Sequence, residues 1–135
     1  MPSSTFLLDT NICIYAMNGN LPVLRKFSEF GPDRLAVSSL VAAELAYGVE
    51  KSQRYDTNQK NLTLFLEAMT IVPWDASAMW HYATQRKRLF QAETPIGEID
   101  LLLGSQALAM DAIFVTNNTR EFERIEGLKL ENWVA

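Results

Sequence analysis

Apolar residues along this chain keep two different periods. Three short unbroken runs lie in "TFLLDTN" at 5–11, "RLAVSS" at 34–39 and "DAIFVTNN" at 111–118, and each passes into small polar residues. This is the pattern of strands buried on both faces of a parallel sheet. "MTIVPW" at 69–74 predicts a fourth strand whose proline suits an edge or a strand end, and the alternation in "LKLENW" at 128–133 predicts a fifth. Between the runs, apolar positions recur at three- and four-residue spacing and predict helices over 11–17, 22–30, 40–52, 57–69, 75–91 and 98–110. "NGNLP" at 18–22 and "TPIG" at 94–97 break the pattern. Strands alternating with helices predict an α/β fold, a central and mostly parallel sheet of about five strands with helices on both faces.

That pattern gives the acids places. Asp9 closes the first run, where it reads either as the cap of the next helix or as a ligand at the carboxyl end of a strand, the end at which open sheets of this kind meet their ligands. "TNN", Thr116 to Asn118, falls at the same end of a later strand. Glu44, in "SSLVAAELAYG", lies about a turn into the helix after the second strand, beside an inward stripe of Leu40, Val41, Leu45 and Gly48. Its position predicts a half-buried carboxylate, with a solvated helical Glu as the alternative. Asp100, in "PIGEIDLLLGSQALA", stands in a first turn beside Leu103 and a Gly104 small enough for close helix packing. A partner of the helix dipole is the alternative there. Three acids converging on one side of a sheet repel one another unless a cation offsets their charge. Oxygen ligands without a cysteine or histidine cluster favour Mg²⁺ or Mn²⁺ over zinc.

Composition narrows the rest. With 135 residues, 48% apolar and 21% charged, the chain has the size of one domain, 1–135, that can bury its own core. A net charge of −4 gives no sign of a general polyanion binder, so any nucleic-acid role must rest on local charge. Cys13 is the single cysteine; it can form no internal disulfide and suits a reducing cytosol as a small apolar residue. Asp9 falls where a signal peptide should be most apolar. The longest weakly polar stretch, "LLLGSQALAM" at 101–110, is about half of a membrane-spanning helix. A cytoplasmic protein with no membrane contact is expected.

"LLDTN", "SSLVAAELAYG", "TPIGEIDLLLGSQALA" and "VTNNTREFERIEGLKLENW", in this order over nearly the whole chain, resemble PIN domains, and within them the VapC-type toxins of bacterial toxin–antitoxin pairs. The resemblance implies a three-layer PIN-like fold and a magnesium-dependent endoribonuclease. It further implies a transfer RNA as substrate, such as the initiator, with inhibition of translation as the result. It carries Asp9, Glu44 and Asp100 over as the core acids and metal ligands. Where many members have a further aspartate this chain has Asn117 and Asn118, and Glu121 in "TREF" resembles the acid that some toxins use instead, the alternative being an ordinary first-turn Glu. Thr10, Asn11, Thr116, Asn117 and Asn118 would orient the carboxylates. The resemblance also implies a VapB-type antitoxin, a homodimer and a larger toxin–antitoxin complex. The groove for the antitoxin is expected between walls at 11–30 and 40–69.

Arg86, Lys87 and Arg88 form the densest basic run and are the candidate RNA contacts, although such a run on a helix is more often a solvated face. Lys51, Arg54, Lys60, Arg120 and Arg124 are dispersed. Core packing is the default for Trp74, Trp80, Trp133, Phe27, Phe30 and Tyr47, with some of them free to line a partner surface. Haloacid-dehalogenase chemistry would need an acid where Asn11 stands, and a phospho-accepting receiver an acidic pair and a later lysine. Serine or cysteine hydrolysis would need a nucleophile motif around His81, the single histidine. The rival of another class is a catalytically degenerate PIN-like domain that binds protein or RNA without cutting, a reading supported by Asn117 and Asn118 alone.

Overall fold

The computed structural model describes residues 4–134. Five strands, β1 (Phe6–Leu8), β2 (Leu35–Ser38), β3 (Thr70–Val72), β4 (Ile113–Val115) and β5 (Lys129–Glu131), form one sheet in the order β3-β2-β1-β4-β5. Every pairing is parallel. Seven helices connect them: α1 (Thr10–Met17), α2 (Leu21–Phe30), α3 (Ser39–Glu50), α4 (Tyr55–Glu67), α5 (Met79–Gln91), α6 (Glu98–Met110) and α7 (Thr119–Phe122). Short 3-10 turns precede β2 and α5. Six of the helices match the periodic segments; the four-residue α7 is too short to leave a period.

β1 and β2 are buried at every position, as continuous apolar strands covered on both faces must be. The proline after β3 ends an edge strand, as its position in the sequence suggests. Removing Leu7, Leu8, Val37 and Phe114 fully from water contributes roughly 1.5–3 kcal/mol per side chain. Trp133, two residues past the end of β5, stacks on Phe30 at 5.7 Å and meets Phe6 edge-on at 5.1 Å. Phe27, Phe30 and Trp133 are core or pack on it, whereas Trp80 and Tyr47 are 73% and 65% exposed. Cys13 is buried, and its thiol is pushed up to about 12, first by burial and then by the charge of Asp9.

The strand order fixes the site. From β1 the chain winds outward through β2 to β3, then crosses back to place β4 on the other side of β1. The loops leaving β1 and β4 therefore part in opposite senses, which opens a crevice at the carboxyl ends of those two strands. Asp9 follows β1 and Thr116 follows β4.

Candidate active site

Asp9 occupies that crevice, and its backbone N–H donates to the Val115 carbonyl at 2.9 Å. Its Oδ1 accepts from the Thr10 N–H at 2.8 Å and so caps α1. Its Oδ2 accepts from the Thr116 hydroxyl at 2.8 Å and from the Asn11 amide at 3.5 Å. Cap and candidate ligand are thus one carboxylate, each function using its own oxygen. The Asn11 amide also reaches Thr116 Oγ1 at 3.4 Å, and Asn11 Oδ1 accepts from the Asn117 N–H at 3.2 Å. Thr116 Oγ1 in turn accepts from the Asn118 N–H at 3.0 Å. This mesh stitches the ends of β1 and β4 together. Asp9 is 7% exposed. Burial pushes its carboxyl above the usual range, the bonds from Thr116 and Thr10 pull it back, and repulsion from Glu44 and Glu121 adds to the rise.

Glu44 faces the same crevice from α3, where its Oε2 accepts from the Thr10 hydroxyl at 3.2 Å. It is exposed, not half-buried as its place beside the apolar stripe predicts. Val41 and Leu45 fill the stripe, and the rotation between them turns Ala43 and Glu44 outward.

Asp100 and Glu121 form the opposite wall. Asp100 stands half-buried in the first turn of α6 and is hydrogen-bonded to Glu121. Its carboxyl is pushed up to about 7, first by burial, then by the bond to Glu121 and by the charges of Glu121, Asp9 and Glu44. Glu121 is held below the usual range by the Asp100 bond first, then by the Gly97 N–H. The two carboxyls titrate as a pair, and burial with mutual repulsion favours one proton held between them. Glu121 Oε1 accepts from the Gly97 N–H at 3.0 Å and its Oε2 from the Asn118 amide at 2.9 Å. A Cβ at Gly97 would stand 3.4 Å from Asp100 Oδ2 and 3.8 Å from Glu121 Oε1, so the helix entry runs close beside both acids.

Three of the four candidate acids therefore perturb one another's protonation, and Glu44 adds to the repulsion on both Asp9 and Asp100. Among the described residues no three acids are already gathered at the spacing that holds one ion; Asp100 and Glu121 are closed on each other instead. The donors are all carboxylate and amide oxygens, a set that fits a hard divalent cation, and mutual repulsion is what such a cation relieves.

The basic run divides. Lys87 is exposed. Arg86 donates to the Tyr82 hydroxyl at 2.6 Å and pairs with Glu98 at 3.7 Å. Arg88 pairs with Glu126 at 3.4 Å and donates to the Gln85 side chain and the Arg124 carbonyl. His81 is exposed on α5. From Thr10 and Glu44 a groove of about 700 Å³ runs between α1, α3 and α4 over Ile14, Met17, Leu45 and Leu62. α2, part of the predicted wall, does not line it. The sequence marks Gly97 only as a helix boundary, offers no sign of Gln85 and shows Arg124 only as a dispersed cation, although all three bond directly to the segments that carry Glu121 and Asp100. A glycine immediately before a helix that carries an acid was the available signal for Gly97. No helix among the described residues is long and apolar enough to cross a membrane.

The PIN domain family profile matches residues 6–128. Ribonuclease VapC2 of Rickettsia felis is 43% identical, with 95% of this chain and 97% of that protein covered. The tRNA(fMet)-specific endonuclease VapC of Shigella flexneri is 36% identical over the same shares of the two chains. Among solved structures, the VapBC2 complex from Rickettsia felis bound to a promoter DNA fragment matches with a TM-score of 0.89 at 39% identity, covering 96% of this chain and 98% of its counterpart. DNA-bound VapBC from Salmonella typhimurium matches at 0.91 with 32% identity, covering 97% and 99%. A five-stranded parallel sheet with acids at its switch point, matched over nearly its whole length by these proteins, makes this chain a member of the PIN-domain family and, within it, of the VapC ribonucleases.

Proposed function

We propose that the chain is a Mg²⁺-dependent endoribonuclease, the toxin of a cytoplasmic toxin–antitoxin pair, that hydrolyses phosphodiester bonds in transfer RNA, the initiator being the leading substrate. One observation carries the reading: Asp9, Glu44, Asp100 and Glu121 come from four separate elements and face one crevice. The substrate class rests on the VapC relatives, some of which are named for tRNA(fMet).

Each residue then has a task. Asp9, buried and held by three donors, is the fixed ligand. Thr116 and Asn11 aim its Oδ2, and Thr10 ties Glu44 to the same end of the sheet. Asp100 and Glu121 would give up the proton between them on binding the ion and would hold it together with Asp9. A divalent cation held there supplies Lewis-acid chemistry, lowering the pKa of an attacking water and offsetting charge at the phosphate. The non-cleaving alternative weakens, because Glu121 supplies the charge that Asn117 and Asn118 lack and the Asn118 amide braces it.

The apolar groove beginning at Thr10 and Glu44 suits an apolar segment of an antitoxin, whose charged residue would then reach the acids. Exposed Met79, Trp80 and Phe90 on α5 give a pair of toxin subunits a contact surface. The deciding experiment incubates purified protein with total transfer RNA, with Mg²⁺ or with chelator, and maps the new ends. Defined ends that need Mg²⁺ are expected; intact RNA under both conditions sinks the reading.

A further inference from the structure

Arg88 and Arg124 both spend side-chain donors on backbone carbonyls, and both sets of bonds bear on the segment that carries Glu121. On α5, Gln85 is buried and treats residue 126 as a neighbouring strand would. Its Oε1 accepts from the Glu126 N–H at 3.1 Å and its Nε2 donates to the Glu126 carbonyl at 3.0 Å. One turn later Arg88 donates to that Gln85 oxygen through Nε at 3.3 Å and Nη2 at 3.0 Å. It also donates to the Arg124 carbonyl and pairs with Glu126. The Arg124 side chain turns the other way and donates to the Pro95 carbonyl at 3.1 Å, two residues before the Gly97 whose N–H holds Glu121. The stretch from 121 to 126 is therefore fastened to α5 at one end and to the entry of α6 at the other. These are the two places whose separation fixes where Glu121 meets Asp100.

We propose that Gln85, Arg88 and Arg124 are positioning residues that set the Glu121–Asp100 pair for cation binding, and that Arg88 stands outside the RNA footprint. A guanidinium that recognises phosphate must have its donors free, and Arg88 spends its Nε and one Nη on the protein. The inference rests on the divalent-ion site proposed above. It assigns the basic run to two different duties: Lys87, exposed and with no bonded partner among the described residues, remains open to RNA, while Arg88 holds the site.

The test uses the full chain with Arg88→Ala, Arg124→Ala, the conservative Arg124→Lys, and Lys87→Ala for comparison. Three quantities are read: Mn²⁺ affinity by calorimetry, hydrogen exchange at the Gly97 amide, and the dependence of kcat and KM on salt. Both alanine variants should bind Mn²⁺ about tenfold more weakly, the low end of what removing an outer support costs. Gly97 should exchange faster, and kcat should fall while KM and its salt slope stay at the wild-type values. Arg124→Lys, which keeps a donor for the Pro95 carbonyl, should recover most of the Mn²⁺ affinity. Wild-type ion affinity and Gly97 exchange in both alanine variants would overturn the proposal. So would a raised KM with a shallower salt slope in Arg88→Ala, the signature of a lost phosphate contact. Should the wild type bind Mn²⁺ but cut no RNA, the ribonuclease reading falls while affinity and exchange still decide the positioning role. Should it bind no ion, the positioning proposal falls with the site it serves.

Discussion

The two walls of the crevice are built by different means. On one side, Asp9 is fixed by backbone: it ends a buried strand, caps the helix that follows and is braced by Thr116 from the adjacent strand end. On the other, Asp100 and Glu121 sit in first turns of helices, more open to water and bonded to one another. Apart from the local brace of the Asn118 amide on Glu121, bonds between segments far apart in the chain hold them in place. The first wall is set as soon as the sheet forms. The second is set when α5, the loop before α6 and the segment after α7 dock, and this wall carries the exchangeable proton.

The sharpest break comes from Asp9→Asn. It should cut RNA hydrolysis by about 100-fold or more, since it removes a ligand and not merely a support, for which the usual loss is already about 10–100-fold. The fold should survive, because the amide oxygen can still cap α1. Its melting temperature without metal should not fall at neutral pH, because the substitution removes a buried charge whose pKa the fold raises. Near-normal cleavage by a well-folded variant would remove Asp9 from the site. Next comes Thr116→Val, expected to lower activity about 10–100-fold. The Thr116 bond holds the Asp9 carboxyl down, so its loss should move the acid limb of the pH–rate profile to higher pH; an unmoved limb would show that Thr116 does not act through Asp9.

The second wall predicts a pH dependence of its own. Asp100 holds its proton up to about 7 in the fold against an ordinary value of 3.8. An ion must displace that proton, so its apparent affinity should fall by about tenfold per pH unit below about 7 and level off above. The sign for stability is opposite to that of an ion-paired carboxylate. The folded state binds the extra proton, so this group's contribution without metal is greatest below 3.8, is lost as pH rises through about 7, and stays flat beyond. Asp100→Asn should flatten the metal-free stability curve across that window. A slope as steep as in the wild type would assign the proton elsewhere.

What the sequence discloses follows the same division. Apolar runs and helical spacing locate all five strands and six helices within about two residues at most ends, because two-sided burial of β1, β2 and β4 leaves continuous apolar runs and one-sided burial of the helices leaves a period. Asp9 and Thr116 are legible as polar residues ending such runs. Glu44 is placed in the right helix, but its exposure depends on which neighbours win the stripe, a matter of packing. Gln85, Arg124 and Gly97 bond to backbone or side-chain groups far away in the chain, and a bond of that kind imposes no spacing on the sequence. The assignment of Arg86 to Arg88 as one cluster illustrates the cost: adjacency in sequence put together side chains that the fold employs separately.

The smallest predicted effect tests whether the second wall depends on docking. A Cβ on Gly104 would lie 2.3 Å from Ile125 Cδ1 and 3.6 Å from Leu128 Cδ2, so α6 rests directly on the segment that follows α7. Ile125 is buried, but only its terminal methyl is in the way, and a rotation can relieve part of the clash. Gly104→Ala should therefore lower stability by about 1–3 kcal/mol, read as a reduced urea midpoint with an unchanged slope. The displaced Ile125 follows Arg124, so the strain falls on Glu121 and Asp100 and not on Asp9. Ion affinity should drop about twofold to threefold, less than the roughly tenfold loss expected when a support is removed outright, while the pH limb assigned to Asp9 keeps its position. Adding Ile125→Val, which removes the clashing methyl, should restore most of the stability and the ion affinity together. Restoration of stability alone would mean that the packing of α6 and the placement of the acids are independent.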